Sequence, residues 1–149
     1  MASDFFRSIV IATDGSENTW KAISYGIKIA KLSGATVHAL YVMDTSSVSQ
    51  SWTAGKEIIY EILKKEGQKA TSKVKECGEA SDVEVKEVIL EGHPSREIID
   101  FAEDNEIDLI VMGTLGKTGL DKFLMGSVAE NVVRNSKVPV MIVRGEGQS

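Results

Sequence analysis

The chain has very little cysteine, which excludes an internal disulfide and argues against a structural zinc site. Of its 149 residues, only Cys77 is a cysteine. An internal disulfide is therefore impossible, and because no His/Cys cluster accompanies Cys77, we expect no structural zinc site. Cys77 lies near the end of a helical pattern, which predicts a small buried apolar residue.

Net positive charge is also missing. The formal net charge of −5 and the isoelectric point of about 5.1 argue against nonspecific binding to DNA, RNA or acidic membranes. No apolar run approaches the length that a membrane-spanning helix needs. Residues 1–7 lack the basic and apolar regions of a secretory signal. We therefore predict a cytoplasmic protein with no nucleic-acid or membrane partner.

What the chain does contain is a regular alternation of strand and helix patterns. Short apolar runs predict five strands, at residues 8–13, 36–43, 83–90, 108–112 and 138–143. Helical patterns fill the intervals, so every connection carries a helix and the sheet should be parallel. We predict one domain over residues 1–149, with a mobile serine-rich loop at 44–55 and a flexible tail at 144–149.

The order of the strands follows from their apolar content. The first and fourth strands have the shortest and most uniformly apolar runs, so they should be central. We predict a Rossmann-like α/β fold: a doubly wound parallel sheet of order 3-2-1-4-5 with helices on both faces. Ligands of such sheets bind at the C-terminal ends of the strands where the order reverses, which here lies between strands one and four. Thr13-Asp14-Gly15 and Gly113-Thr-Leu-Gly116 follow those strands and should meet at one crevice.

A glycine-punctuated loop is the most informative segment of the chain. Nine residues separate Gly113-Thr-Leu-Gly116 from Gly126-Ser127, which stands at the start of a helical pattern that runs to Asn135. Bare backbone N–H groups in such a loop can approach an anion closely, and the N-terminus of a helix adds unpaired donors and a positive dipole end. The pattern therefore indicates a phosphate site and makes nucleotide binding the first hypothesis.

Ordinary local structure is the alternative. Glycines in a loop also serve as turn residues, and Ser127-Val-Ala-Glu130 has the pattern of a capping box, which needs no ligand. Asp14 before Gly15 is likewise typical of an Asx-turn. Two better-known phosphate motifs are excluded. A Walker loop ending at Gly116-Lys-Thr118 would need glycine where Val111 stands, and no G-x-G-x-x-G follows the first strand.

Four segments together resemble the universal stress protein family. They are the strand before Thr13-Asp-Gly-Ser-Glu17, the helix start Gly92-His-Pro94, the run Asp108-Leu-Ile-Val-Met-Gly-Thr114 and the closing Ser136-Lys-Val-Pro-Val-Met-Ile-Val143. The similarity extends over about residues 6–144. The glycine motif has the spacing of the ATP-binding branch of that family. The resemblance implies a Rossmann-like fold, one ATP per subunit, often with Mg²⁺ or Mn²⁺ on its phosphates, and a homodimer formed through the C-terminal strand 138–143.

The resemblance also implies roles for particular residues. Ala12 and Thr13 would line the adenine side, Asp14 would hold the ribose hydroxyls, and the backbone of Val42 would read the adenine edge. The remaining predicted ligand-binding residues are Met112, Gly113 and Gly116 around the ribose and α-phosphate, and Gly126, Ser127 and Val128 at the outer phosphates. We predict no catalytic residue and no protein-held metal ion.

Two classes of function fit these features. The first is a nucleotide-dependent regulatory protein of the stress response, a homodimeric switch whose ATP occupancy biases its shape or its partners. The second is an ATP-cleaving enzyme, either a slow hydrolase or a relative of the ATP pyrophosphatases. A hydrolase needs a base or a water-orienting group beside the γ-phosphate. Asp121 is the only carboxylate in the glycine loop, so we favour the binding protein.

Overall fold

A computed structural model describes residues 5–46, 53–114 and 125–145 of the chain. The elements are β1 (Ser8–Ala12), a 3₁₀ turn (Glu17–Thr19), α1 (Trp20–Ser33), β2 (Thr36–Asp44), α2 (Thr53–Ala80), β3 (Val85–Gly92), α3 (Pro94–Asp104), β4 (Leu109–Gly113), α4 (Ser127–Asn135) and β5 (Val140–Val143). No helix in these ranges combines the length and the apolar character that crossing a bilayer requires.

The strands form one parallel sheet of order β3-β2-β1-β4-β5, which confirms the predicted topology. β1 lies at the centre, with Ala12 paired to Leu40 of β2 and Ile11 paired to Val111 of β4. The direction of winding reverses between β1 and β4. The chain therefore leaves the carboxyl ends of these two strands toward opposite faces of the sheet. The segments after β1 and β4 border the same opening.

Helices cover both faces of the sheet, as predicted. Ile9 and Ile11 of β1 face the layer of α1 and α2, whereas Val10 and Ala12 face the layer of α3 and α4. This alternation is the period of a strand that is buried on both sides. It explains why β1 reads as a continuous apolar run.

Gly67 in the middle of α2 allows that helix to lie close to β2. A Cβ built on Gly67 would lie 2.7 Å from the ring of Tyr41, so the helix could not approach the sheet with any larger residue there. From the sequence alone, this glycine is expected only to destabilise the helix, by about 1 kcal/mol relative to alanine. The close contact with Tyr41 is the compensating reason for its presence.

The predicted loop at 44–55 is too long at both ends. Asp44 is still part of β2, where it pairs with Gly92, and α2 begins at Thr53. The ladder with β3 extends β2 by one residue beyond its apolar run. Residues 47–52 of the predicted loop lie outside the described residues.

The last strand is shorter than the predicted 138–143. β5 spans Val140–Val143, because the Ser136 hydroxyl accepts the Val138 N–H at 3.0 Å and donates to the Val138 carbonyl at 2.7 Å. These two bonds hold the chain in a turn just before the strand. Of the predicted tail at 144–149, residues 146–149 lie outside the described residues.

The fourth strand begins at Leu109, one residue later than predicted, and the Asp108 carboxylate just before it contacts the beginning of β1. Its Oδ2 accepts the backbone N–H of Arg7 at 2.8 Å and that of Ser8 at 3.0 Å. The carboxylate therefore anchors the beginning of β1 to the beginning of β4. This contact helps to keep the two central strands in register.

Candidate functional site

A crevice of about 360 Å³ opens at the carboxyl ends of β1, β2 and β4. It lies at the point where the strand order reverses, which is where an open parallel sheet offers a ligand site. Its volume lies within the range of small-molecule sites, roughly 300–1,000 Å³. Its lining residues are Ala12, Thr13, Asp14, Thr19, Leu40, Tyr41, Val42, Asp44, Leu63, Pro94, Ile98, Met112, Gly113, Thr114, Gly126, Ser127, Val128 and Ala129.

The fold brings the predicted ligand-binding residues together around this crevice. Ala12, Thr13, Asp14, Val42, Met112, Gly113, Gly126, Ser127 and Val128 all line it. Gly116, the remaining predicted residue, lies outside the described residues, as does Asp121. Segments that are about a hundred positions apart in sequence thus share one cavity.

The backbone of Val42 faces the crevice for a reason that the hydrogen-bond pattern makes clear. The Leu40 carbonyl accepts the Thr13 N–H at 3.0 Å, so the backbone groups of Leu40 face β1. Backbone groups alternate along a strand, and those of Val42 therefore point to the same side. β1 has already ended at Ala12, so the N–H and C=O of Val42 face the opening instead of a neighbouring strand. They offer one donor and one acceptor side by side.

Asp14 sits on a turn that its own side chain stabilises. Its Oδ1 accepts the backbone N–H of Ser16 at 2.9 Å, which is the predicted Asx-turn. Gly15 within this turn has φ of +83°, in the left-handed region that favours glycine. The turn and a ligand role are compatible, because the Asx bond occupies only one carboxylate oxygen.

Thr19 lines the crevice, although the sequence analysis did not select it. Its hydroxyl lies 3.2 Å from the hydroxyl of Thr13 and donates to the Ser16 carbonyl at 2.8 Å. The side chains of both threonines are buried, although both border the crevice. The serine and threonine content of residues 13–19 was the available signal, because such side chains often bond to nearby backbone groups.

The N-terminus of α4 presents backbone donors to the crevice. Intrahelical bonding begins with the Glu130 N–H, which donates to the Gly126 carbonyl at 2.9 Å. The N–H groups of Ser127 and Val128 therefore have no acceptor within the helix, and both residues line the crevice. The N–H of Gly126 is already used, since it donates to the Thr114 carbonyl at 2.6 Å. An anion at this place would meet Ser127 and Val128 first.

The predicted capping box at Ser127–Glu130 is wrong. The N-cap is Gly126, with φ of −64° and ψ of 161°, and Ser127 is the first helical residue. α4 spans Ser127–Asn135, as the helical pattern predicts, and the bond from the Gly126 N–H to the Thr114 carbonyl lies just before it. Glu130 instead lies 3.4 Å from Arg134, one turn along the helix. The Ser127 side chain therefore forms no capping bond.

The charges of the crevice are negative wherever the structure describes its lining. Asp14 and Asp44 follow or end the neighbouring strands β1 and β2, and no described lining residue is a lysine, arginine or histidine. The Asp44 Oδ1 accepts the Ser46 N–H at 3.2 Å and its hydroxyl at 2.5 Å, which orients the carboxylate. Leu40, Ile98 and Met112 supply a buried apolar floor. The alternation of Leu40, Val42 and Asp44 along β2 could have revealed Asp44 in the sequence.

The two histidines and the cysteine are absent from this lining. His38 packs edge-on against Phe101, with ring centroids 5.7 Å apart, and burial together with nearby Lys86 lowers the pKa of its imidazole. His93 precedes α3, where its Nδ1 lies 3.2 Å from the Ser95 hydroxyl. Cys77 is half-buried against the core of the α1–α2 layer, and this burial raises the pKa of its thiol.

A doubly wound parallel sheet with a crevice at its switch point defines a Rossmann-like α/β protein. The family model of the universal stress proteins matches residues 5–144, so the chain belongs to the universal stress protein family. Universal stress protein MJ0531 of Methanocaldococcus jannaschii is 46% identical over 146 residues, which cover 95% of this chain and 84% of the relative.

Solved structures share the fold. The structure of MJ0577 superposes with a TM-score of 0.86 at 31% identity and covers 97% of this chain and 99% of that one. A universal stress protein solved in complex with cAMP has a TM-score of 0.72 at 22% identity, with 96% of this chain and 100% of that chain covered. At this identity the second comparison bears on the fold alone.

Proposed function

We propose that this protein binds ATP in the crevice between β1 and β4 and acts as a nucleotide-dependent regulatory protein of the stress response. The observation that carries the proposal is the convergence of Val42 backbone groups, the Asp14 carboxylate and the N–H groups of Ser127 and Val128 on one cavity of about 360 Å³. The proposal takes the chain as one nucleotide-binding domain, located in the cytoplasm.

The adenine fits the apolar half of the crevice. The edge of adenine carries one acceptor, N1, beside one donor, the N6 amino group. The Val42 N–H and C=O are the matching donor and acceptor on one backbone residue. Ala12, Thr13 and the floor around Met112 would enclose the ring, and the Asp14 carboxylate would accept hydrogen bonds from the ribose hydroxyls.

The phosphates fit the other half. The N–H groups of Ser127 and Val128 lie at the positive end of the α4 dipole, and Gly113 lets the backbone approach closely. Gly116 and Gly126 belong to the same proposed phosphate loop. Since the described lining contains carboxylates and no cationic side chain, we expect Mg²⁺ or Mn²⁺ to bind to the phosphates and reduce the repulsion.

A homodimer through β5 is part of the proposal. The Pro139 and Val143 carbonyls accept the N–H groups of Ile110 in β4 and Thr114 just after it, so the backbone groups of Val140 and Ile142 point to the open edge. All four β5 residues are apolar, whereas β3 at the opposite edge exposes Lys86 and Glu87 among others. An open apolar edge without charge invites pairing with another strand.

Dimerisation can be tested at Ile142. Proline at this position removes the N–H that faces the open edge and leaves the bonds to β4 intact. Ile142→Ala loses a similar amount of side-chain packing and retains the N–H, so it is the matched control. In sedimentation experiments we expect Ile142→Pro to be monomeric and Ile142→Ala to be dimeric. A dimer in both variants would place the interface elsewhere.

ATP binding is tested by its effect on stability. A ligand that binds only the native state stabilises it by about 2.7 kcal/mol at a concentration a hundredfold above its dissociation constant. Protein shown by native mass spectrometry to be free of nucleotide should therefore melt at a higher temperature in millimolar ATP. An unchanged melting curve would contradict the proposal. Phosphate release well above about one turnover per minute at micromolar protein would favour the ATP-cleaving alternative.

A further inference from the structure

The turn that carries Asp14 is held by a one-way chain of buried hydrogen bonds. The Thr19 hydroxyl has a carbonyl acceptor, Ser16 O, at 2.8 Å, so its proton is committed to that bond. Its oxygen can then accept the proton of the Thr13 hydroxyl, 3.2 Å away. The Thr13 oxygen in turn accepts the Gly15 N–H at 3.0 Å. Each hydroxyl donates once and accepts once.

Asp14 lies between the two ends of this chain. Its backbone joins Thr13 to Gly15, and its Oδ1 accepts the N–H of Ser16. Ser16 is also the residue whose carbonyl Thr19 holds, both through its hydroxyl at 2.8 Å and through its N–H at 3.2 Å. Thr19 therefore bonds Thr13 before Asp14 and Ser16 after it, and Thr13 in turn bonds Gly15.

This arrangement matters because glycine adopts many backbone conformations freely, so the hydrogen bonds of the turn must select the one that Gly15 has here. Gly15 has φ of +83° and packs against Ala70, where a Cβ on the glycine would lie 3.4 Å from the Ala70 Cβ. Thr13 and Thr19 are only 7% and 5% exposed, so water cannot easily replace either hydroxyl bond. A buried hydroxyl that loses its partner is costly, and the turn would relax to restore one.

We infer that Thr19 is a positioning residue for the ligand: its hydroxyl fixes the carboxylate of Asp14 in the orientation that accepts hydrogen bonds from the ribose. The inference rests on the proposed function, because it deepens the role of Asp14 in that site. It predicts a defect confined to the sugar. Removing the Thr19 hydroxyl should weaken nucleotides that carry ribose hydroxyls and spare those that lack them.

The test compares two nucleotides in calorimetry. ATP carries both ribose hydroxyls, and 2′,3′-dideoxy-ATP carries neither. Thr19→Val retains the shape of the side chain and removes the hydroxyl, and Thr19→Ser retains the hydroxyl. Thr71→Val is the matched control, because Thr71 of α2 is fully buried, donates to Glu87 of β3 at 2.8 Å and does not line the crevice.

The expected result is a change in the ratio of the two affinities. Thr19→Val should bind ATP roughly 2- to 12-fold more weakly, the equivalent of one hydrogen bond, with the dideoxy nucleotide unchanged. Thr19→Ser and Thr71→Val should both keep the wild-type ratio. In an Asp14→Asn background, Thr19→Val should add little, because the two residues act through one contact.

Three results would overturn the inference. Thr19→Val could bind both nucleotides as the wild type does, it could weaken both equally, or Thr71→Val could change the ratio to the same extent. If Thr19→Val does not fold, Thr13→Val breaks the same chain at its other end, and a wild-type ratio there also overturns it. Wild-type protein that binds neither nucleotide refutes the proposed function itself, and the inference with it.

Discussion

Two walls of the same crevice are built from different parts of the polypeptide. The first wall is the turn after β1, which side chains hold by hydrogen bonds. The side chains of Thr13, Asp14 and Thr19 bond to the turn, and the two threonines bond to each other. The second wall is the N-terminus of α4, where backbone groups face the crevice instead of side chains. There the N–H groups of Ser127 and Val128 precede the first intrahelical bond, so they have no acceptor within the helix.

The difference teaches which kind of substitution each wall tolerates. A wall made of side chains is sensitive to residue identity, because a single hydroxyl or carboxylate carries each bond. A wall made of backbone groups is indifferent to most side chains and sensitive to loss of an N–H. The first wall also carries negative charge, and the second carries the positive end of a helix dipole. The following predictions, given in order of decreasing effect, test this contrast.

The largest effect is expected from Ser127→Pro. Proline is well suited to the first helical position, and the ψ of 161° at Gly126 suits a residue that precedes proline, so the fold should persist. The substitution removes one N–H from the second wall. We expect ATP affinity to fall by about 1.5–3 kcal/mol, the value of a hydrogen bond to a charged group. Ser127→Ala retains the N–H and should bind ATP nearly as the wild type does. Calorimetry that ranks the two variants in reverse would show that the hydroxyl, not the backbone, binds the phosphates.

Gly15→Ala should damage the first wall through the backbone. A residue with a Cβ at φ of +83° costs about 1–2 kcal/mol because of its backbone conformation, whereas the added Cβ would lie 3.4 Å from the Ala70 Cβ, an ordinary contact distance. We expect the free energy of unfolding in urea to fall by about that amount. Gly145→Ala, whose φ is not in the left-handed region, is a control at another described glycine. Equal stability of Gly15→Ala and wild type would contradict a fixed turn.

Asp14→Asn should have a smaller effect, on binding alone. The amide oxygen can still accept the Ser16 N–H, so the turn is retained. The ribose hydroxyls would meet a neutral partner instead of a charged one, which should lower ATP affinity by about 1 kcal/mol. The melting temperature without ligand should stay close to that of the wild type. A large fall in that temperature would mean that the carboxylate serves the turn and not the ligand.

Asp44→Asn should have the smallest effect, and it should raise the affinity for ATP instead of lowering it. Its carboxylate lines the crevice and faces solvent, so its repulsion of the phosphates is screened. Without divalent ions, we expect ATP affinity to rise by a few tenths of a kcal/mol, roughly the value of an exposed charge pair. The gain should vanish at high salt and for adenosine, which has no phosphate. A loss of ATP affinity would instead assign Asp44 a direct contact with the ligand.

The sequence predicted the sheet and most of the candidate site for identifiable reasons. A strand that is buried on both faces must be a continuous apolar run, so the sequence predicted β1 and β4 as central strands. Helices between all strands forced a parallel sheet, and the position of its reversal put Asp14 and Gly113 at one end. The closing pattern predicted a strand at 138–143, but the Ser136 hydroxyl bonds that delay it to Val140 are not visible as apolar periodicity.

The same contrast separates what the sequence determined from what the tertiary structure decided. The order of elements, the location of the crevice and several of the residues that border it follow from local patterns, because burial and chain direction act on neighbouring positions. The bond between Gly126 and Thr114 and the contact between Thr19 and Thr13 were decided by the tertiary structure. The need for glycine at position 67 came from the ring of Tyr41. These are contacts between separate segments, and their distances exist only when the chain has folded.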